Sequence, residues 1–505
     1  HLALKPNQTP TRPNFVRQAT MTTTTESPTT LNAHAAPTAA ATPSAPAHPL
    51  ASPGRYAALG LLVSAQFVVM LDTSIVNVAL PSIQSDLRLG PTGVAWVINA
   101  YVLAFGSLLL VSGRAADLFG RRRMFVIGSA LFTAGTLLAA VAAHPAMLMV
   151  GRIIQGAGAA ALSPAAMSLL LLTFPGPERA RAMSLWGAAS GLGGATGVLA
   201  GGLLAGTFGW SSVFLVTVPV SVTAVAFARQ VLPEGARGAR RRFDWLGAAT
   251  ITGAAIALVH GALGVSEGGW SSPSVIAGLT GSALLVAVFV VVERRAADPL
   301  VPLELFRSRV LSTGVALAVF GGAARASAFV LIALDLQQAL VMAPKQAGLA
   351  MVPTSVTGFV FSLAFLPRLL RAHGPRRTLV IGLVILAAGH LWLGHAPAHD
   401  GYSVAILPGL LLVAVGVALS FMPTTMVIAA AVPQTHAGLA SGLAGSATQI
   451  GAALGTATFT AIGISAGATG DTTLTGAGFT AAFTAAAVVA LATAVLGFTI
   501  TRARD

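Results

Sequence analysis

From about residue 57 onward the chain alternates between apolar runs of some twenty residues and short polar stretches bearing glycine, proline or arginine. An α-helix rises about 1.5 Å per residue, so ~20 apolar residues match a ~30 Å hydrocarbon layer. The pattern predicts fourteen spans, at roughly 57–80, 93–112, 124–143, 147–172, 183–207, 213–232, 245–264, 274–293, 310–333, 346–367, 378–396, 403–428, 437–465 and 479–500. Residues 1–56, rich in Thr, Ala and Pro, hold no such run and no signal-peptide core, and read as a disordered cytoplasmic tail. Within them "MTTTTESPTT" begins at Met21, the expected natural start, with residues 1–20 an upstream extension.

Composition narrows the class. Only 9% of residues are charged and 55% are hydrophobic, with a mean hydropathy of +0.81, whereas about a quarter of a soluble domain is charged. A soluble globular enzyme is excluded, and an all-α, multi-pass protein of the cell membrane is expected. The net charge of +14 would suit nucleic acid, but the positive residues sit in short clusters between apolar runs. With the N-terminus inside, the inner connections and tails hold 25 of the 29 Lys and Arg residues, while the outer loops hold two, Arg88 and Lys345. That asymmetry places both termini in the cytoplasm and leaves the lipid bilayer, not nucleic acid, as the partner. The absence of cysteine removes disulfides, thiol catalysis and Cys-ligated metals. His390 and His395, five residues apart, do not share a helix face, so no metal site is expected. "GAGAA" after Arg152 lacks the strand and lysine of a phosphate loop, and no other ATP motif occurs. No cofactor is expected, energy should come from an ion gradient, and the chain should act as a monomer.

An internal repeat accounts for the number of spans. "FGRRRMFVIG" at 119–128 matches "HGPRRTLVIG" at 373–382 at an offset of 254, and Pro91 falls on Pro344 at an offset of 253. Spans 1–6 and 9–14 then read as two copies of a six-helix bundle, with spans 7 and 8 inserted. The predicted units are an N-terminal bundle at 57–232, a linker with two extra helices at 233–309 and a C-terminal bundle at 310–505. Parallel six-helix repeats with sites at their interface are an architecture of secondary transporters.

Five ordered segments then carry a resemblance: "LDTSIVNVALPSI" from Leu71, "GRAADLFGRRR" from Gly113, "GRIIQGAGAA" from Gly151, "ERRAADPLVPLELFRSR" from Glu293 and "GLASGLAGSATQIGAALG" from Gly438. The chain resembles the major facilitator superfamily, and within it the fourteen-helix drug:proton antiporters. The resemblance implies export of small, often amphipathic compounds in exchange for protons; export or import of one specific metabolite is the alternative. Gly113, Asp117, Gly120, Arg121 and Arg122 stand on the family's loop motif after helix 2. Gly193, Gly197, Gly201 and Gly202 stand on its helix 5 antiporter motif, although Val198 replaces the usual proline. Thr448 stands where many members carry arginine.

Few polar groups lie inside the spans. Asp72 sits ~22 Å along span 1, in the outer half of the bilayer. It is either a static ion pair or a protonatable site that is neutral in one conformation and charged in another. Arg152 lies at matching depth in span 4 and is the expected partner; guanidinium stays protonated, so Arg152 cannot carry the proton itself. Gln155, Gln66 and Asn77 are secondary candidates; Gln66, Thr73 and Asn77 share a stripe of span 1 to one side of Asp72. Subtracting 253 from Arg325 gives Asp72, so these two are expected to face one another, or a shared cavity, across the bundle interface. Asp335, ten residues beyond Arg325, is either solvated or a second proton site. Asp117 is expected to lock the cytoplasmic gate, a role the second copy lacks because Arg371 occupies its place. Gly193, Gly197 and Gly201 provide either close packing or a flexing contact between bundles. A membrane-embedded enzyme or sensor would need a cluster of catalytic groups at one depth, which four charges within the spans do not supply.

Overall fold

The computed structural model describes residues 52–233, 243–396, 401–467 and 476–502, and every described element is helical. The expected tail up to residue 51, the arginine run at 237–242 and Arg504 lie outside the described residues.

In chain order the elements are α1 (Ser52–Leu87), α2 (Pro91–Phe119), α3 (Arg121–Ala140), α4 (Pro145–Thr173) and α5 (Pro177–Phe208). Next come α6, in two pieces (Ser211–Leu215 and Val218–Val231), α7 (Trp245–Gly268), α8 (Pro273–Arg295) and α9 (Arg309–Gln338). They continue as α10 (344–373), α11 (375–395), α12 (402–430), α13 (Ala437–Ala466) and α14 (Gly476–Arg502). Among the described residues, thirteen continuous helical runs are long and apolar enough to cross a bilayer, and one of them, Gln346–His395, has 50 residues. At about 1.5 Å per residue that run measures ~75 Å, more than two bilayer cores. It breaks at Gly374, whose backbone adopts φ 73° and ψ 171°, and the two halves are α10 and α11, which makes fourteen crossings. Gly120, its repeat partner, makes the corresponding turn between α2 and α3 at φ 99°. Only glycine adopts such a φ without strain, so the sequence repeat marks the same hairpin corner twice.

Proline shapes the irregular spans. The wide π-helical turns Phe361–Phe365 and Tyr402–Ile406 each run up to a proline, Pro367 and Pro408. A proline ring clashes with the carbonyl one turn back, and widening that turn relieves the contact.

Glycines set how closely the hairpins pack. A Cβ on Gly128, Gly135, Gly151 or Gly158 would come within 2.8 Å of the facing backbone of the α3–α4 hairpin. Gly382, Gly389, Gly409 and Gly416 do the same in α11–α12, where a Cβ would lie within 2.8 Å of the opposite helix. The repeat therefore extends through both hairpins. Gly135→Ala puts a methyl group 2.4 Å from the Gln155 amide nitrogen, an overpacking expected to cost about 1–3 kcal/mol and to lower the melting temperature in detergent. Gly60→Ala, with nothing within 4 Å of its Cβ, should melt like wild type.

The two halves meet where α2 and α4 pack against α13 and where α5 packs against α10 and α12. The α7–α8 hairpin leans through α7 on α2 and α13. A single apolar cluster runs across both halves, joining Leu62, Phe125, Phe132 and Trp186 to Leu366, Leu370, Leu419 and Met422.

Candidate functional site

Helices α1 to α4 converge on one carboxylate. Asp72 is 0% exposed, and its Oδ2 accepts from Arg152 Nη1 at 2.7 Å. Its Oδ1 accepts from Gln155 Nε2 at 2.7 Å, and Gln155 Oε1 accepts from the same Arg152 Nη1 at 2.7 Å. Arginine only donates, which fixes the orientation of the Gln155 amide. Gln155 Nε2 also reaches Thr136 Oγ1 of α3 at 2.9 Å. Arg152 Nε donates to the Val97 carbonyl of α2 at 3.0 Å, and its guanidinium lies 4.4 Å from the Tyr101 ring centroid. Arg152 and Gln155, three residues apart, share one face of α4. That face comes close because Gly156 abuts the Tyr101 carbonyl and Gly135 abuts the Gln155 amide. Each carboxylate oxygen has a donor, and the guanidinium donates through Nε and Nη1. Removing one partner of such a buried pair costs about 3–5 kcal/mol, because the other is left uncompensated. Guanidinium does not deprotonate, so Arg152 cannot itself carry a proton.

The other span 1 candidates stand apart from this cluster. Gln66 Nε2 donates to Ser190 Oγ of α5 at 2.9 Å, while Asn77 is exposed and bonds its own helix at the Thr73 carbonyl. The α5 glycines explain that side of α1. A Cβ on Gly193, Gly197 or Gly201 would lie 2.5, 2.8 and 2.9 Å from the carbonyls of Phe67, Leu71 and Ile75. These three, one turn apart on both helices, seat α5 on α1 within the first half; Gly202, with Val78 at 3.8 Å, makes ordinary contact. The contact of α5 with the second half is made instead at Gly187 and Gly191, which face Met422 and Phe359.

Arg325 does not meet Asp72, whose two oxygens are taken within the first half. It is buried in α9, with Nη1 3.5 Å from Ser420 Oγ and the guanidinium 5.8 Å from the Phe421 ring centroid. Asp335 is 8% exposed and borders a cavity of about 60 Å³ beside Leu393, Gly394, Phe479 and Thr480. His390 is buried with Nε2 3.0 Å from the Ala324 carbonyl.

The loop after α2 forms a second polar cluster, at the arginine-rich end. Asp117 Oδ1 and Oδ2 accept from the amides of Gly438 and Leu439 at 2.8 and 2.7 Å, capping the first turn of α13. Carboxylate at a helix N-terminus meets both free N–H groups and the positive end of the dipole. Arg121 Nη2 bonds Asp117 Oδ1 and the Gln434 carbonyl, each at 2.8 Å. Gly113 permits the approach, since its Cβ would lie 2.3 Å from the Gly438 carbonyl oxygen. Gly120 turns the chain, and Arg122 reaches the carbonyls of Arg229 and Leu232 at the end of α6.

Several participants escaped the sequence reading. Thr136 and Tyr101 are ordinary residues whose role depends on which helix lies beside them. Arg114 Nη2 donates to the Pro299 carbonyl at 3.1 Å, and its Nη1 lies 3.1 Å from His436 Nδ1, linking α2, the α8–α9 connection and the start of α13. Glu293, 4% exposed, accepts from the amides of Leu300 and Val301 and folds that connection back on α8. An acid opening "ERRAADPLVPLELFRSR" was the available signal.

Comparison with known proteins places this geometry. The family model of the Major Facilitator Superfamily matches residues 62–244 and 313–505, on either side of α7 and α8. The cephamycin export protein CmcT of Amycolatopsis lactamdurans is 37% identical over 389 residues, 76% of this chain and 80% of that protein. The puromycin resistance protein pur8 of Streptomyces alboniger is 37% identical over 395 residues, 77% of this chain and 78% of that one. In three dimensions the proton:xylose symporter XylE superposes with a TM-score of 0.64 at 15% identity, covering 89% of this chain and 96% of its own, a likeness of fold alone. Family and fold are those of multi-pass membrane transporters, not of enzymes.

Proposed function

We propose that this chain, which belongs to the Major Facilitator Superfamily, is a proton-coupled exporter of small, antibiotic-like organic compounds in the cell membrane. Its working units are the bundles 57–232 and 310–505, which rock about their interface, with both termini cytoplasmic. The observation that carries this reading is Asp72, a fully buried acid in a membrane span held between Arg152 and Gln155. Ionised, it accepts from both partners. Protonated, it no longer balances Arg152, and α1, α2, α3 and α4 all touch the arrangement that must then relax. A proton is thereby converted into a change of packing among four helices.

The second part of the reading is the gate. The arginine-rich end is the cytoplasmic one by the positive-inside rule. There Asp117 clasps α13, Gly442 rests on Leu109 and Gly187 on Met422. Closure at that end corresponds to the outward-facing state, in which Asp72 takes its proton from outside. Release of that proton inside is coupled to loading of the compound. The names of the relatives, one an export protein and one a resistance protein, support export as the direction and an antibiotic-like compound as the cargo.

The test is proton flux in proteoliposomes carrying a pH-sensitive dye. Cefoxitin, a cephamycin, or puromycin, added to the compound-loading face, is expected to drive protons in the opposite direction. Compound movement without proton movement would overturn the coupling, and no compound-dependent movement of either kind would overturn the export reading.

A further inference from the structure

We propose that Arg325 is the docking point for a carboxylate of the transported compound, so that the second bundle selects organic anions. The inference rests on the export reading and adds the charge of the cargo to it. Arg325 is 4% exposed in the middle of α9, and among the described residues no carboxylate pairs with it. Asp335, the other charged group of this stretch, is ten residues further on, ~15 Å along the helix. Among the described residues its one hydrogen bond, from Arg325 Nη1 to Ser420 Oγ, is 3.5 Å long, and the buried Nη2 of Arg325 has no hydrogen-bond partner.

The first bundle shows what a buried guanidinium takes when the protein supplies it. Arg152 has a carboxylate, an amide oxygen, a backbone carbonyl and an aromatic ring. Arg325 has one hydroxyl at the limit of bonding and one ring, Phe421. Its planar fork of donors matches the two oxygens of a carboxylate, and a charged donor buried without an anion gains more from one than an exposed donor does.

Location also suits a cargo contact. Phe421 packs against the apolar cluster that joins both halves, so the guanidinium stands by the wall that alternating access opens and closes. The apolar surroundings favour an amphipathic anion over a small hydrated one. Arg325 also holds the repeat position of Asp72. One bundle therefore offers an acid that binds a proton, and the other offers a base that binds an anion.

Binding to the purified full-length chain in nanodiscs tests the assignment, using octanoate and cefoxitin, each with its methyl ester. Wild type is expected to bind the acids more tightly than the esters. Arg325→Gln should weaken acid binding by at least about tenfold and leave ester binding within about twofold. If Arg325→Gln does not fold, Arg325→Lys decides: it keeps the charge, loses the fork and should weaken the acids severalfold without touching the esters. Equal binding of acid and ester, failure of all four probes to bind wild type, or parallel loss of acid and ester in the variant would overturn the proposal. Because binding is measured without a gradient, the carboxylate site and the proton coupling fail separately.

Discussion

Asp72→Asn is expected to abolish compound-driven proton movement, with transport against a gradient falling by at least about 100-fold. The amide keeps the size of the side chain and one acceptor oxygen but cannot take up a proton as carboxylate does. It also strands Arg152, which in the native cluster donates to Asp72 Oδ2 at 2.7 Å. The penalty for leaving a buried charge unpaired, about 3–5 kcal/mol, corresponds to about two to three and a half decades in a conformational equilibrium. Asp72→Glu, which restores an ionisable group one methylene longer, should recover part of the proton flux. The readout is dye-reported proton flux beside radiolabelled compound flux in the same vesicles. Full proton flux in Asp72→Asn would remove Asp72 from the coupling, whatever happened to protein stability.

Asp117→Asn should open the cytoplasmic gate and reduce export by about 10- to 100-fold. Asp117 spends both oxygens on the α13 amides and shares one of them with Arg121. In asparagine one of those oxygens becomes an NH₂ group, which donates and cannot accept from an amide. Each lost bond to a charged group contributes about 1.5–3 kcal/mol, enough to shift a two-state equilibrium by about one to two decades. The chain contains no cysteine, so a single introduced thiol reports without background. Ser441→Cys places it in the first turns of α13, at a residue 7% exposed in the closed gate. Maleimide labelling of that thiol is expected to rise severalfold when Asp117→Asn is added. Unchanged labelling together with unchanged transport would dismiss the latch.

The residues differ in how far the linear chain betrays them. Asp72 and Arg152 are visible because charge in an apolar run is rare and because depth follows from residue count at a fixed rise per residue. Gln155 follows from helical spacing. Asn77 shares its stripe with polar residues and yet faces outward, since a stripe says which residues share a face and not what that face meets. The Gly193–Gly201 ladder is equally ambiguous. Spacing four marks a smooth surface for any helix, and only the carbonyls of Phe67, Leu71 and Ile75 identify α1 as the neighbour. Repeat arithmetic relates Arg325 to Asp72 as positions, but equivalence under a pseudo-twofold does not require contact.

Hydropathy, charge placement and the repeat are properties of short windows, and they determine where the apolar crossings fall and which glycines, Gly120 and Gly374, turn the corners. Helix-to-helix neighbourhood is not a local property. It depends on which grooves fill which ridges among fourteen nearly equivalent apolar cylinders, so tertiary packing alone decides that Thr136 and Tyr101 complete the Asp72 cluster. The same packing ties Arg114 and Glu293 to the inserted helices, and among the described residues it leaves Arg325 buried without a carboxylate.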